Sequence, residues 1–440
     1  MLSTTVASKP DAAQDRRAGR YAARHTLWSQ SDLPRLRSCG RAPQKNDLGV
    51  QVKVTHADGK RHAGLSNVQH CASAWACPVC SAVISAERQG DISAALSAWY
   101  AGDGVESFGK VALVTLTMRH NKGHSLKALW DALSEAWNLV GSGAGWADDQ
   151  LTYGERFVKM VVKSSGPRPR PLVPKLVGRI PLIRVVEVTY GVFGWHVHIH
   201  AILLLPMSAS DASVARLAGS MYGRWAAGLK ARGLSSQRYG WRTLDDGTKE
   251  RFDLGVDARL IHGDPSAALG EYFVKAVYST SMEVARFDMK KANHGNRTPF
   301  AVLADVVDQE RAIDAAREDL AIWHEYERGS KGRKQIVWSY GLRARLLPPK
   351  QAVELSDQEI ADRDQGGDVV VELNADLWKV ITGRRADWRL IKAFELSDAD
   401  GYSLLWELAA AAELEGARQW AELLEQPDPL RRVWQTREPL

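Results

Sequence analysis

The segment that most constrains this chain is a run of alternating histidine and aliphatic residues, WHVHIHAILLL, at residues 195–205. In an extended strand successive side chains point to opposite faces, so His196, His198 and His200 share one face and the aliphatic residues between them share the other. Such a strand packs one face into a core and carries three aligned imidazoles on the other. The pattern favours a metal site over a surface strand that happens to bear histidines.

A second strand candidate, residues 183–189, carries Glu187 within a run of β-branched residues. A lone buried carboxylate is costly, so Glu187 needs a cationic partner. If the two strands form a hairpin whose turn is centred on residues 192–193, Glu187 lies directly opposite His198 on the same face. Two imidazoles and one carboxylate suit a divalent ion such as Mn²⁺ or Mg²⁺ with coordination positions left open. His196 is a competing third ligand.

All four cysteines of the chain fall within its first 80 residues. Cys77 and Cys80 form a C-x₂-C pair, which presents two thiolates to one ion. Cys39 and Cys71 complete a tetrahedral set for a structural zinc ion, although His70 could replace one of them. The alternative is a pair of buried thiols without a metal.

A third motif predicts a helix that exposes a tyrosine beside charged residues. The Asp-Pro pair before it is a suitable helix start, and Tyr272 and Lys275 then share a face away from the apolar stripe. A tyrosine phenol is a poor nucleophile at neutral pH unless a metal or an ammonium group stabilises its phenolate. Tyr278, three residues from Lys275, is the fallback nucleophile. The alternative is an exposed Glu271–Lys275 pair with Tyr272 in ordinary packing.

The order of strand and helix patterns predicts an α+β fold with an antiparallel sheet backed by helices. Over the 440 residues we expect four regions. They are a flexible tail at 1–35, a zinc-binding module and helix at 36–100, the sheet domain at 101–350 and a mostly helical C-terminal region at 351–440. Residues 164–181 hold five prolines among basic residues, which predicts an exposed basic loop.

The charge balance is mildly basic, with 58 Lys and Arg against 52 Asp and Glu and a formal net charge of +6. This balance suits a polyanionic partner without identifying one. The sequence offers neither a signal peptide nor an apolar run long enough to cross a bilayer, so we expect a cytoplasmic protein without a membrane partner. In a reducing compartment the cysteines are expected as thiolates rather than disulfides.

Taken in order along the chain, these motifs resemble those of the replication initiators (Rep proteins) of rolling-circle plasmids, which belong to the His-hydrophobe-His (HUH) class of endonucleases. Residues 71–84 are similar to the cysteine motif of actinobacterial-type initiators, and residues 115–120 (TLTMRH) resemble their first strand motif. Glu187 with residues 195–204 resembles the metal motif, and residues 272–275 the nucleophile motif. The similarity covers roughly residues 39–347, and the shared order is more specific than any single motif.

The resemblance implies an HUH endonuclease-like domain in which His198 and His200 are the paired metal ligands and Glu187 the third. Tyr272 would attack the scissile phosphate of a plasmid origin in a metal-dependent transesterification, with Lys275 steadying the phosphate or phenolate. The products would be a 5′-phosphotyrosine and a free 3′-hydroxyl primer. The expected partners are duplex and single-stranded origin DNA, a host helicase and a host DNA polymerase.

Some relatives end the reaction cycle with a glutamate-activated water and others with a second tyrosine, and the sequence offers Glu271 and Tyr278 for these roles. Two other functions stay open. One is a relaxase or transposase of the same chemical class. The other is a zinc-dependent DNA-binding regulator, in which the histidines are structural and DNA is bound without cleavage.

Overall fold

A computed structural model describes residues 9–45, 47–102, 109–162, 172–244, 246–265, 296–307, 313–364 and 366–411. The described chain is an α+β protein in which every strand pairing is antiparallel. This confirms the predicted fold class.

The strands are β1 Val50–Ala57, β2 Lys60–Ser66, β3 Lys110–Leu116, β4 Glu155–Val162, β5 Leu172–Arg179, β6 Leu182–Gly191, β7 Gly194–Leu205, β8 Tyr239–Thr243, β9 Lys249–Asp253, β10 Val256–Ile261, β11 Ile336–Trp338 and β12 Asp368–Leu373. The helices are α1 Lys9–Gln30, α2 Pro34–Ser38, α3 Pro78–Ala101, α4 Leu126–Val140, α5 Gly143–Tyr153, α6 Asp211–Ala231, α7 Pro299–Val307, α8 Ile313–Ser330, α9 Leu342–Leu346, α10 Pro349–Ala352, α11 Asp357–Ala361, α12 Ala375–Gly383, α13 Asp387–Leu396 and α14 Asp398–Ala410.

A five-stranded sheet in the order β10-β3-β7-β6-β11 lies at the centre of the fold. One face packs on the amphipathic helices α4 and α6, which bury residues at helical spacing such as Leu129, Leu133 and Leu217. Part of the other face forms a second apolar layer, in which Ile202 and Leu204 of β7 pack against residues of α3 and α9. The three histidines of β7 lie on the same face of the sheet as Ile202 and Leu204, next to the apolar residues that α3 and α9 cover.

The N-terminal region differs from its prediction as a flexible tail, because α1 is a 22-residue helix that starts at Lys9. Its Ala23 and Leu27 are buried in the main core. Arg24 and His25 both contact the fully buried carboxylate of Asp387, with 2.6 Å between His25 Nε2 and Asp387 Oδ1. The helix is thus held by a partner more than 360 residues away in sequence, which no local pattern in residues 1–35 reveals.

The C-terminal region is also less separate than its helical pattern suggests. Strand β12 pairs with β1, and β1 with β2, to form a three-stranded sheet. This sheet shares one apolar core with α12, α13 and α14. The first and last parts of the described chain therefore form one structural unit, and none of its three strands is among those predicted from the sequence.

The predicted basic loop at 164–181 is wrong over residues 172–179, because β5 pairs with β4 as a two-stranded ribbon. Pro174 is tolerated there because the ribbon is not a central strand and its residues are mostly exposed. A second ribbon, β8–β9, precedes β10. Among the described residues, no helix combines the length and the apolar character that a bilayer crossing requires.

Candidate metal centre

The hairpin β6–β7 positions the candidate metal ligands. Its register pairs Glu187 with His198, as the predicted turn at residues 192–193 requires. Gly194 starts β7 at a φ of +84°, a left-handed conformation that favours glycine. The turn and the pairing therefore agree with the sequence prediction.

Three side chains converge on the face of the sheet that carries the histidines. Glu187 Oε2 lies 3.0 Å from His198 Nε2 and 3.0 Å from His200 Nε2. His198 is 9% exposed and His200 is 2% exposed, while Glu187 is half-buried. The donor atoms lie within 4.8 Å of one another, so the group can hold a metal ion.

The electrostatics of the cluster fit that use. Burial would raise the pKa of the Glu187 carboxyl, but the His198 and His200 imidazoles outweigh it and hold this pKa well below its usual range. Burial lowers the pKa of His200. A deprotonated carboxylate and a neutral imidazole are the forms that donate electron pairs to a metal.

His196 shares the face of the cluster but has a different partner. Its Nδ1 lies 2.9 Å from His120 Nε2, and His120 Nδ1 lies 3.1 Å from the backbone oxygen of Phe193. Burial lowers the pKa of His196 to about 3. The group of donor atoms around Glu187 does not include His196, so the geometry favours Glu187 as the third ligand.

Sequence reasoning did not give site roles to Thr115, His120 or Asp257. Strand β3 pairs with β7 so that Thr115 lies opposite His200, with 2.9 Å between Thr115 Oγ1 and His200 Nδ1. Strand β3 pairs with β10 along its other edge, where Asp257 lies opposite Thr115 and on the same face of the sheet as His200. Thr115 and His120 belong to the TLTMRH motif, but only the strand pairing shows that they adjoin the histidines.

The predicted nucleophile motif cannot be placed against this centre. Glu271, Tyr272, Lys275 and Tyr278 lie outside the described residues. Their roles remain predictions from the sequence.

The four cysteines come together as predicted. The Sγ atom of Cys39 lies 3.7 Å from those of Cys77 and Cys80, and the Sγ atoms of Cys71 and Cys80 are 3.8 Å apart. A tetrahedral zinc ion with Zn–S bonds of about 2.3 Å separates its sulfur ligands by about 3.8 Å. All four cysteines are free and buried, and their spacing fits a Cys₄ zinc site.

Local structure explains how this cysteine cluster forms. Cys77 caps α3, its sulfur accepting from the backbone N–H of Cys80, so the C-x₂-C pair sits on a helix start. Hydrogen bonds from the other three thiols hold the pKa of the Cys39 thiol well below its ordinary value. His70 instead faces Asp362, with 3.1 Å between Nδ1 and Oδ1, and is not part of the cluster.

Comparison with known proteins adds an independent finding. The chain is 29% identical over 390 residues to "Protein rep" of Streptomyces lividans, an alignment that covers 80% of each protein. The chain is similar to a Rep protein. It is also 33% identical over 174 residues to the "Neomycin resistance protein" of Streptomyces cyanogenus, which is 36% of this chain and 35% of that relative. No protein-family model matches the chain, and no solved structure matches it.

The contact between Thr115 and His200 leads to a first testable prediction. If His200 Nε2 binds a metal, its Nδ1–H donates to Thr115 Oγ1, which fixes the ring orientation. We expect Thr115→Val to weaken Mn²⁺ binding by about 10- to 100-fold in calorimetric titration. Thr117→Val is the matched control, because the Thr117 hydroxyl donates to Leu254 O and not to a histidine. Equal Mn²⁺ affinity in both variants would contradict the role of Thr115.

Proposed function

We propose that this protein initiates rolling-circle replication of a plasmid by nicking one strand of the double-strand origin. The observation that carries the proposal is the convergence of Glu187, His198 and His200, in a chain similar over most of its length to Protein rep. The HUH endonuclease fold, origin binding and the nicking reaction are parts of this proposal. We do not propose neomycin resistance for this chain, because the match to the second relative spans only about a third of either protein.

In this proposal Glu187, His198 and His200 hold a divalent ion, Mg²⁺ or Mn²⁺. Such an ion would polarise the oxygens of the scissile phosphate. One carboxylate and two neutral imidazoles leave coordination positions for those oxygens. Thr115 orients His200, and the aliphatic residues on the opposite face of β7 anchor the ligand strand in the main core.

The covalent step is a transesterification at phosphorus. The Tyr272 phenol loses its proton to solvent, and its oxygen forms a bond to the phosphorus atom of the scissile phosphate, which stays attached to the 5′ oxygen of the downstream nucleotide. The bond between phosphorus and the 3′ oxygen breaks, and that oxygen takes up a proton. The products are a 5′-phosphotyrosine and a 3′-hydroxyl, and the reverse reaction rejoins the strand. Lys275 would stabilise the phenolate.

The remaining parts of the proposal follow from this reaction. The 3′-hydroxyl is a primer for a host DNA polymerase, and a host helicase would open the duplex ahead of it. The net charge of +6 suits a DNA partner. We place the protein in the cytoplasm, where plasmid DNA is replicated, and assign zinc to the four-cysteine cluster.

The test uses purified full-length protein and supercoiled plasmid that carries the cognate origin, with Mn²⁺ or Mg²⁺. We expect nicked circles and a covalent protein–DNA adduct on a denaturing gel, and we expect Tyr272→Phe to yield neither. Tyr278→Phe is the matched control, because it removes the same hydroxyl six residues further along the predicted helix, about one and two-thirds turns away. An adduct that persists in Tyr272→Phe and disappears in Tyr278→Phe would move the nucleophile to Tyr278. Origin binding without nicking under either metal would instead support a DNA-binding regulator.

A further inference from the structure

The hairpin β8–β9 exposes a large aromatic side chain that the proposed reaction does not use. Trp241 is 65% exposed at the centre of β8. Most other residues of the two strands are exposed as well. A contiguous exposed apolar patch rimmed by polar residues is typical of an interaction site.

The residues around Trp241 are basic and aromatic. The register pairs Trp241 with Arg251 and Thr243 with Lys249, which places them on the same face as Tyr239. The guanidinium of Arg251 lies 4.3 Å from the centre of the Tyr239 ring, and that of Arg238 lies 5.2 Å from it. The Tyr239 ring therefore holds two cationic groups in fixed positions.

These cations have no acidic partner in the described part of the chain. The ion pairs found there include none with Arg238, Lys249 or Arg251, although Asp253 lies opposite Tyr239 on the same face. Arg242, on the other face of the hairpin, is by contrast paired with Glu250. Lys249 and Arg251, which form no ion pair among the described residues, thus lie on the face that carries Trp241, together with Asp253.

A cavity of about 290 Å³ lies between this hairpin, α6 and β10. Arg238, Tyr239, Arg251 and Phe252 line it, together with small residues of α6 such as Gly219. The Nε atom of Arg238 is buried and has no hydrogen-bond partner among the described residues. The cavity thus brings aromatic side chains next to a hydrogen-bond donor of Arg238 that has no acceptor among the described residues.

We propose that the β8–β9 face formed by Tyr239, Trp241, Lys249 and Arg251 is a stacking platform for unpaired DNA bases. The inference rests on the proposed function and adds a binding surface to it. Exposed aromatic rings interleaved with basic side chains bind single strands, because each base offers a ring to stack on and the backbone offers charge. In a duplex the bases are already stacked on one another, so an exposed indole gains little from it.

The hairpin is connected to the central sheet by the chain and by hydrogen bonds. The chain runs from β9 directly into β10, which pairs with β3, and β3 pairs with the histidine strand β7. Thr117, just after β3, binds the segment between the hairpin and β10 through its N–H and hydroxyl, to Gly255 O and Leu254 O. The platform is therefore anchored to the sheet that carries the metal centre.

The experiment measures binding apart from nicking. Full-length protein without added Mg²⁺ or Mn²⁺ is titrated into a fluorescein-labelled oligothymidylate of about 20 nucleotides, and in parallel into a duplex of equal length, and anisotropy is recorded. We expect Trp241→Ala to weaken binding of the single strand by about tenfold, Trp241→Phe to restore most of it, and duplex binding to change little. Arg242→Ala is the matched control, because it removes a cation from the opposite face of the same hairpin and should bind the single strand as the wild type does.

The outcomes separate this inference from the proposed function. A wild type that nicks the origin while Trp241→Ala binds the single strand normally would overturn the platform and leave the nicking proposal intact. If Trp241→Ala binds the single strand tenfold more weakly but the wild type does not nick the origin, the result would support the platform and not the nicking proposal. Equal losses on single strand and duplex would show a phosphate-binding surface, and a changed oligomeric state of Trp241→Ala in sedimentation would show a protein contact. Either of these last results would overturn the platform.

Discussion

Replacing His200 with alanine is expected to reduce metal-dependent nicking by more than a hundredfold, and His198→Ala is expected to do the same. Each change removes one of two imidazoles that converge with Glu187 Oε2 at 3.0 Å. Loss of an outer partner of a metal ligand typically costs 10- to 100-fold, so loss of a ligand itself should cost more. The measurement is the initial rate of conversion of supercoiled to nicked plasmid over a titration of Mn²⁺.

His196→Ala is the matched control for these two variants. It removes the same side chain from the same face of β7, but His196 contacts His120 and lies outside the donor group. We expect this variant to keep a nicking rate within about tenfold of the wild type, because all three proposed ligands of the metal remain. If His196→Ala lost activity as fully as His200→Ala while Glu187→Gln stayed active, His196 would replace Glu187 as the third ligand.

Removal of zinc is expected to unfold the region around the cysteine cluster. The four thiols come from the end of α2, the segment after β2 and the start of α3, so one ion would join three separate parts of the chain. Structural zinc contributes about 10 to 16 kcal/mol in small zinc domains, which is comparable to the whole stability of a typical protein. We expect Cys77→Ser to purify without zinc and to melt at least about 10 °C lower than the wild type.

Ser81→Ala is the control for the zinc experiment. Ser81 is fully buried beside Cys80, and its hydroxyl has no hydrogen-bond partner among the described residues. Its removal should leave both the zinc content and the melting temperature close to those of the wild type. A wild-type protein that contains no zinc by elemental analysis, yet melts as cooperatively after chelation as before, would contradict the zinc assignment.

Local periodicity predicted much of the central sheet. The alternation in residues 195–205 predicted β7, and the β-branched run at residues 183–189 predicted β6. The signal in β7 is strong because imidazoles and aliphatic side chains alternate along it, although both faces of the strand are buried. The same reasoning missed β1, β2 and β12, whose pairing joins the two ends of the described chain. When a strand pairs with a segment far away in the chain, its own sequence carries only a weak pattern of alternating polar and apolar residues.

The sequence by itself determined that Glu187 lies opposite His198 and that Cys77 and Cys80 share a helix start, whereas the tertiary structure left His196 and His70 outside the two donor groups. A tight hairpin and a C-x₂-C helix start are local structures, so residue order alone sets their geometry. Only the tertiary structure decided that Thr115 contacts His200 and that His120 contacts His196. The same holds for the contacts of Asp387 with Arg24 and His25 of α1. These contacts join segments far apart in the chain, and burial of their polar groups is stable only once the whole core has formed.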